Sequence, residues 1–136
     1  MNEAQLVAAT IDVIKREGWT QGALIDKQTK QHCILGAVGK ARWGNQWDKD
    51  CLSSAKSVYL ELMLDRVTGA VINRIAKMLY TNLEPDQLAR IGVESEQDLA
   101  EDPDGLVIGW NDDLLSHTHG EEELLAVLAK IQAEVG

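Results

Sequence analysis

The stretch NEAQLVAATIDVIKREGW, residues 2–19, carries the first of two helix signals on which the expected fold depends. Asn2 is a favourable N-cap residue, and Gln5 three positions later completes a capping-box pattern. The apolar residues recur at spacings of four and three, and therefore share one helical face: Val7, Ile11 and Ile14. Gly18 is the residue type that commonly follows the end of a helix. The stretch predicts an amphipathic helix that ends at Gly18.

The second signal lies at the other end of the chain. Thr118 and Glu121 have the spacing of a capping box, which predicts a helix that begins there. Its apolar face is formed by Leu124, Leu128, Ile131 and Val135. We expect the two terminal helices to pack together, with a Cys33 helix that contributes Leu35, and to bury Trp19 and Trp110.

The residues between these helices also show helical patterns. A helix with two glycines, Gly36 and Gly39, is predicted from about 33 to 43, and glycines retained in a helix indicate close packing. Residues 48–83 predict one bent helix or two, a short helix follows at 85–91, and Ser95 with Asp98 predicts a capped short turn up to Ala100. Residues 106–110 fit either a helix or a strand, and residues 23–31 fit a loop or a short extended piece. The expected fold is all-α, a single domain over residues 1–136 with five or six helices and at most one short extended segment.

Charge is distributed unevenly along the chain, whose net charge is −9. Residues 1–83 hold eleven basic and eight acidic residues, whereas residues 84–123 hold one basic and thirteen acidic residues. Such a surface repels the phosphates of duplex nucleic acid and attracts a basic protein, or the more basic half of another copy in a homo-oligomer. A solvated acidic face that only keeps the protein in solution is the alternative interpretation.

The composition also indicates where in the cell the protein resides. No apolar run approaches the roughly 20 residues needed to cross a bilayer, and the N-terminus is polar, unlike a secretory signal. Two cysteines do not make a disulfide framework, so a reducing compartment fits best. We therefore expect a cytoplasmic protein without membrane partners.

Three short motifs together resemble a family of small uncharacterised proteins of actinobacteria and their phages. They are Gly18-Trp19-Thr20-Gln21-Gly22-Ala23, Cys33-Ile34-Leu35-Gly36-Ala37, and Trp110-Asn111-Asp112 before a capped helix. The resemblance covers roughly residues 5–43 and 106–133. It implies an actinobacterial or phage origin, and the host cytoplasm as the location if the protein is phage-encoded. It implies no activity.

Cys33 is the only plausible nucleophile in the sequence. It opens a predicted helix, where the dipole lowers a thiol pKa, and His117, His119, Asn111 and Asp112 are residue types that a cysteine nucleophile requires. Nothing in the sequence places them beside Cys33. Because free cysteine is among the most buried residue types, packing in the core is the favoured interpretation.

The sequence also contains residue types that can bind a metal ion or a small ligand. The histidines and cysteines (His32, Cys33, Cys51, His117 and His119) contain no tight Cys or His pair of the kind found in zinc sites, so we expect no metal and no cofactor. The segment from Trp110 through Asn111 and Asp112 to Asp113 could bind a ligand amide or a cation. The favoured alternative is that Asn111 makes local backbone hydrogen bonds while Trp110 lies in the core.

Three functions are compatible with these observations. The leading hypothesis is a non-enzymatic interaction protein that binds a basic host or phage protein through residues 84–123. The second is a small-ligand binder or Cys-dependent enzyme with a pocket near Cys33, Trp110 and Asn111. The third is a homo-oligomeric structural component, held together by basic-to-acidic contacts between copies.

Overall fold

The computed structural model describes residues 1–53 and 58–136, and the description of the fold concerns these residues. They form nine α-helices and a π-helical turn at Trp110–Leu114. The α-helices are α1 (Glu3–Glu17), α2 (Ile34–Trp43), α3 (Asn45–Ser53), α4 (Val58–Leu64), α5 (Arg66–Asn82), α6 (Pro85–Arg90), α7 (Glu96–Glu101), α8 (Pro103–Gly109) and α9 (Gly120–Val135).

The start and end of α1 confirm the first helix signal. The backbone N–H of Gln5 donates to Oδ1 of Asn2 over 2.8 Å, and the Asn2 N–H donates to the Gln5 side chain over 2.9 Å. Gly18 follows the last residue of α1 with φ of 90°, a left-handed value that glycine adopts without strain.

The core is formed where the two terminal helices meet. Helix α1 packs against α2 and α9, and α5 packs against α1, α2, α4, α8 and α9. The residues expected to join the terminal helices are fully buried apart from the partly buried Ile11: Val7, Ile14, Leu35, Leu124, Leu128 and Ile131. The apolar faces therefore meet as predicted.

The prediction of an all-α fold is confirmed, but the prediction of five or six helices is wrong. Gly44, with φ of 68°, ends α2 so that α3 begins as a separate helix at Asn45. Asp65 caps α5, since its carboxylate accepts from the backbone N–H of Thr68 over 3.1 Å, and this cap separates α4 from α5. The predicted 48–83 helical span therefore breaks at Asp65, and its residues 54–57 lie outside the described part.

The structure decides three local predictions. Residues 106–109 are helical, which is one of the two predicted alternatives, because Pro103 occupies the first position of α8 and Asp102 caps that helix. Helix α9 begins at Gly120, not at a Thr118 cap, and Oγ of Ser116 accepts from the N–H groups of Thr118 and His119. Residues 18–33 form a loop, as predicted for 23–31, and the optional extended piece is reduced to isolated bridges from His32 to Trp19 and Ile25. No described helix combines the length and apolar character that spanning a bilayer requires.

Candidate functional site

The loop after α1 and the π-helical turn after α8 are joined by one buried side chain, Asn111. Its Oδ1 accepts from the indole N–H of Trp19 over 2.7 Å and from the backbone N–H of Ile34 over 3.1 Å. Its Nδ2 donates to the carbonyl of Thr20 over 3.2 Å and to the carboxylate of Asp112 over 2.8 Å. The three motifs singled out in the sequence therefore converge on the Asn111 amide, whose hydrogen bonds are all made to groups inside the protein.

Neighbouring polar groups strengthen this junction. The side chain of Gln21 donates to the carbonyls of Asn111 and Leu115 over 2.8 and 3.0 Å. The carboxylate of Asp112 also accepts from the backbone N–H of Gly22 over 2.9 Å. These contacts are long-range, so the Asn111 bonds are not the local backbone bonds that the sequence favoured.

The four residues proposed to bind a ligand differ in accessibility. Trp110 and Asn111 are buried, Asp112 is half-buried and only Asp113 is exposed. Trp19 was expected to be largely buried but is half-buried, with its ring against Gly120 at the start of α9. Direct contact between a ligand and Trp110 or Asn111 would therefore require the junction to open.

Cys33 lies in the core at the N-cap of α2. Its Sγ accepts weakly from the backbone N–H of Gly36 over 3.4 Å. Burial raises the pKa of the Cys33 thiol to about 12, and the negative charge of Asp112 also raises it. The thiol is therefore protonated at neutral pH, which favours packing over nucleophilic chemistry.

The other residues considered for catalysis or metal binding lie elsewhere. His117 and His119 are exposed in the turn before α9, whereas His32 is fully buried. Burial, with help from Asp48 and Cys33, raises the pKa of the half-buried Cys51 to about 12. Within residues 1–53 and 58–136, no three His, Cys, Asp or Glu side chains are grouped so that they could hold a metal ion.

A partly buried polar cluster, which sequence reasoning missed, centres on Asp48. One of its carboxylate oxygens lies 2.7 Å from Nε2 of His32, and the other accepts from the Lys40 ammonium over 2.6 Å. Lys40 also donates to Asn45 over 2.8 Å and lies 3.7 Å from Glu17. The cluster ties the 18–33 loop, α2 and α3 together. Residues from four segments take part, so no single sequence pattern could have indicated it.

The acidic segment, residues 84–123, is the most distinctive chemical feature of the surface. Of its thirteen carboxylates, nine are exposed and four are half-buried. No ion pair between described residues involves any of them, since all such pairs join residues from the first 74 positions. Its single basic residue, Arg90, donates to the carbonyl of Asp113 over 3.5 Å. The negative charge of the segment is therefore not neutralised within the described chain.

Burial and a neighbouring carboxylate both act on Asp104 in the acidic segment. Burial raises the pKa of Asp104 above its ordinary value, and a hydrogen bond with Asp102 and the charge of that carboxylate raise it further. A nearby cation would relieve this repulsion, because an opposite charge favours the ionised form of a carboxyl group.

Two of the surface clefts between described residues have volumes of about 460 and 510 Å³ and could receive side chains or small ligands. The first, about 510 Å³, lies between the end of α5 and α6 and is lined by Tyr80, Leu83, Pro85, Leu88, Ala89 and Val93, with Glu94 at its edge. We call it the α5–α6 groove. The second, about 460 Å³, lies between α3 and α4 and is lined by Trp43, Trp47, Leu64, Asp50, Glu61 and Asp65.

A cation from the chain itself interacts with two residues that line the second cleft. The guanidinium of Arg42 lies 6.0 Å from the Trp43 ring centroid and donates to Asp65 over 3.2 and 3.4 Å. Trp43 in turn stacks on Trp47 at 5.4 Å between ring centroids. The α5–α6 groove, by contrast, belongs to the acidic segment.

Comparison with known proteins gives one match. The model of a family of unknown function (DUF6197) matches residues 1–134. No curated protein and no solved structure matches the chain significantly.

Proposed function

Because the chain belongs to the DUF6197 family, whose function is unknown, we propose a function from its surface chemistry. The protein is a non-enzymatic interaction protein that binds a basic protein partner through the acidic segment. The observation that carries this proposal is the exposure of the segment's carboxylates without ion-pair partners among the described residues.

Unpaired charge of one sign is suited to association. It steers an oppositely charged partner during diffusional encounter and rejects partners of like charge. Duplex nucleic acid is therefore an unsuitable partner for this surface. The basic residues of the first half are partly engaged by their own carboxylates, as in the Arg74–Glu3 and Lys40–Asp48 pairs, and so neutralise the acidic segment poorly.

The residues considered for catalysis do not favour an enzyme. Cys33 is buried with a raised pKa, and its Sγ accepts only from a backbone amide among the described groups. Asn111 is satisfied by internal partners. The two clefts described above are lined by other residues.

The proposal is tested by capture of partners from a host extract on immobilised protein, with mass spectrometry of what is retained. We expect a basic protein to bind at about 0.1 M salt, where the Debye length is about 10 Å, and to be released at about 1 M, where it is about 3 Å. Neutralising three exposed carboxylates in the variant E94Q/E96Q/E122Q should weaken capture.

The matched control changes the net charge equally but outside the acidic segment, in the variant D12N/D50N/E134Q. Asp12 pairs only with the exposed Arg16, so its loss costs little stability. Equal capture by both variants and the wild type, or capture that resists high salt, would contradict the proposal.

The origin, the location and the assembly state are also part of the proposal. The three motifs support an actinobacterial or phage origin, with the host cytoplasm as the location, which genome neighbourhood and cell fractionation would test. If the basic partner is the first half of a second copy, light scattering at low salt would give a homo-oligomer that dissociates as salt is added.

A further inference from the structure

We propose that the α5–α6 groove receives the apolar side chains of a basic, amphipathic helix in the partner protein. This inference rests on the proposed function, since it names the kind of partner segment that the acidic segment binds. It adds an apolar anchor point to what would otherwise be a purely electrostatic association.

The groove is lined mainly by apolar side chains. Leu88 and Val93 are almost fully buried at its base, whereas Pro85 and Ala89 are exposed along the α6 side. Its volume of about 510 Å³ lies within the range of roughly 300–1,000 Å³ typical of ligand clefts. Helix α6 has six residues and so extends for about 9 Å, enough for two anchoring side chains one helical turn apart.

The charge around the groove determines which apolar partner fits. Glu94 lines the groove. Three further carboxylates are exposed and stand within two positions of a lining residue in the sequence: Glu84, Asp86 and Glu96. None of these four carboxylates forms an ion pair with a described residue. An apolar segment flanked by Lys or Arg would pair with them, whereas an acidic or neutral segment would not.

An amphipathic helix is the occupant that combines these features. It presents apolar residues at spacings of three and four on one face and basic residues beside them, and it binds grooves by inserting those apolar residues. A second copy fits less well. The described helix with the most exposed large apolar side chains is α4, with Tyr59, Leu60 and Leu64, but it also carries Glu61.

The test measures binding of fluorescently labelled synthetic peptides by anisotropy, at about 0.1 M salt. One peptide is a Leu/Lys helix of about four turns with its leucines on one face. The comparison peptide has the same composition and charge, but its leucines are distributed around the helix. We expect the amphipathic peptide to bind about tenfold more tightly, since a tenfold ratio corresponds to about 1.4 kcal/mol of apolar contact.

Filling the groove should remove this preference. In Ala89→Trp, the indole occupies the space that the leucines would enter, so both peptides should bind equally. Ala126→Trp places the same ring on an exposed position of α9 and should leave the preference intact. Ala89→Arg puts a cation in the groove. It replaces Ala89→Trp in the binding measurement if circular dichroism shows that the tryptophan variant is misfolded.

The outcomes separate this inference from the proposed function. If E94Q/E96Q weakens both peptides but Ala89→Trp changes neither, the acidic segment binds cations and the groove inference is wrong. If neither peptide binds, or if E94Q/E96Q has no effect on either peptide, the groove inference is wrong, whereas the proposed function is overturned by the capture experiment described above. If the wild type self-associates and the Ala89→Trp variant does not, the groove is occupied by a second copy and not by a basic helix.

Discussion

Asn111 shows how one residue can hold segments that are distant in sequence. Trp19, Thr20 and Ile34 lie 77 to 92 positions away from it along the chain, and all are bound by its side-chain amide. An amide is suited to this role because its oxygen accepts two hydrogen bonds and its nitrogen donates two. The Trp-Asn-Asp motif is thereby explained as a structural junction.

Replacing Asn111 with alanine should therefore destabilise the fold. Buried partner groups left without a hydrogen bond cost about 1–3 kcal/mol each, so we expect N111A to lower the free energy of unfolding by about 3 kcal/mol. Urea unfolding followed by far-ultraviolet circular dichroism measures the change. Asn82→Ala, at an exposed position, serves as control and should change stability by less than about 0.5 kcal/mol. Equal stability of the two variants would contradict this role.

At the scale of elements, the glycines of α2 control how closely other segments approach. A Cβ at Gly36 would overlap the carbonyl oxygen of Leu24, and one at Gly39 would overlap the ring of Trp47. The expectation of close packing is confirmed at both positions. The neighbours differ, however, because one is backbone and the other is a side chain.

This difference predicts two responses to alanine. Gly36→Ala and Gly39→Ala should each destabilise by about 1–3 kcal/mol, the usual cost of overpacking, despite the better helix propensity of alanine. In a Trp47→Leu background, Gly39→Ala should cost much less, whereas the cost of Gly36→Ala should not change. A double-mutant cycle by chemical denaturation measures the coupling. A coupling energy near zero for Gly39 with Trp47 would overturn this assignment.

At the scale of the whole molecule, the uneven charge affects stability as well as binding. The ion pairs described above lie in the first 74 residues, while the acidic segment contributes unrelieved repulsion. Added NaCl screens repulsion between exposed charges, so we expect it to raise the midpoint of urea unfolding. The variant E94Q/E96Q/E122Q, with less repulsion to screen, should respond less. A midpoint that falls as salt rises would mean that attractive pairs dominate.

Local sequence patterns predicted the helices better than they predicted the junctions between them. The capping box of α1 and the apolar faces of α1 and α9 follow from neighbouring residues, and both were predicted correctly. The sequence allowed one bent helix or two over 48–83, but it did not locate the break at Asp65. Whether a residue caps a new helix or continues the old one depends on what packs beside it. The start of α9 at Gly120 was missed for a similar reason, since the Trp19 ring packs against that glycine.

The acidic segment was recognised from sequence, whereas the α5–α6 groove was not. Net charge is a sum over residues and needs no structure. A groove exists only where elements meet with a gap between them. The residues between α5 and α6 have a pattern that indicates only the end of one helix and the start of the next.

The sequence by itself determined that the chain is helical, which faces of its terminal helices are buried, and where its negative charge lies. These properties depend on the types and spacing of residues within a few turns. Only the tertiary structure decided that Asn111 bonds to Trp19 and Ile34, that Asp48 joins His32 to Lys40, and that Cys33 is buried. Hydrogen bonds and burial between distant segments depend on how the helices pack, and no local pattern encodes that arrangement.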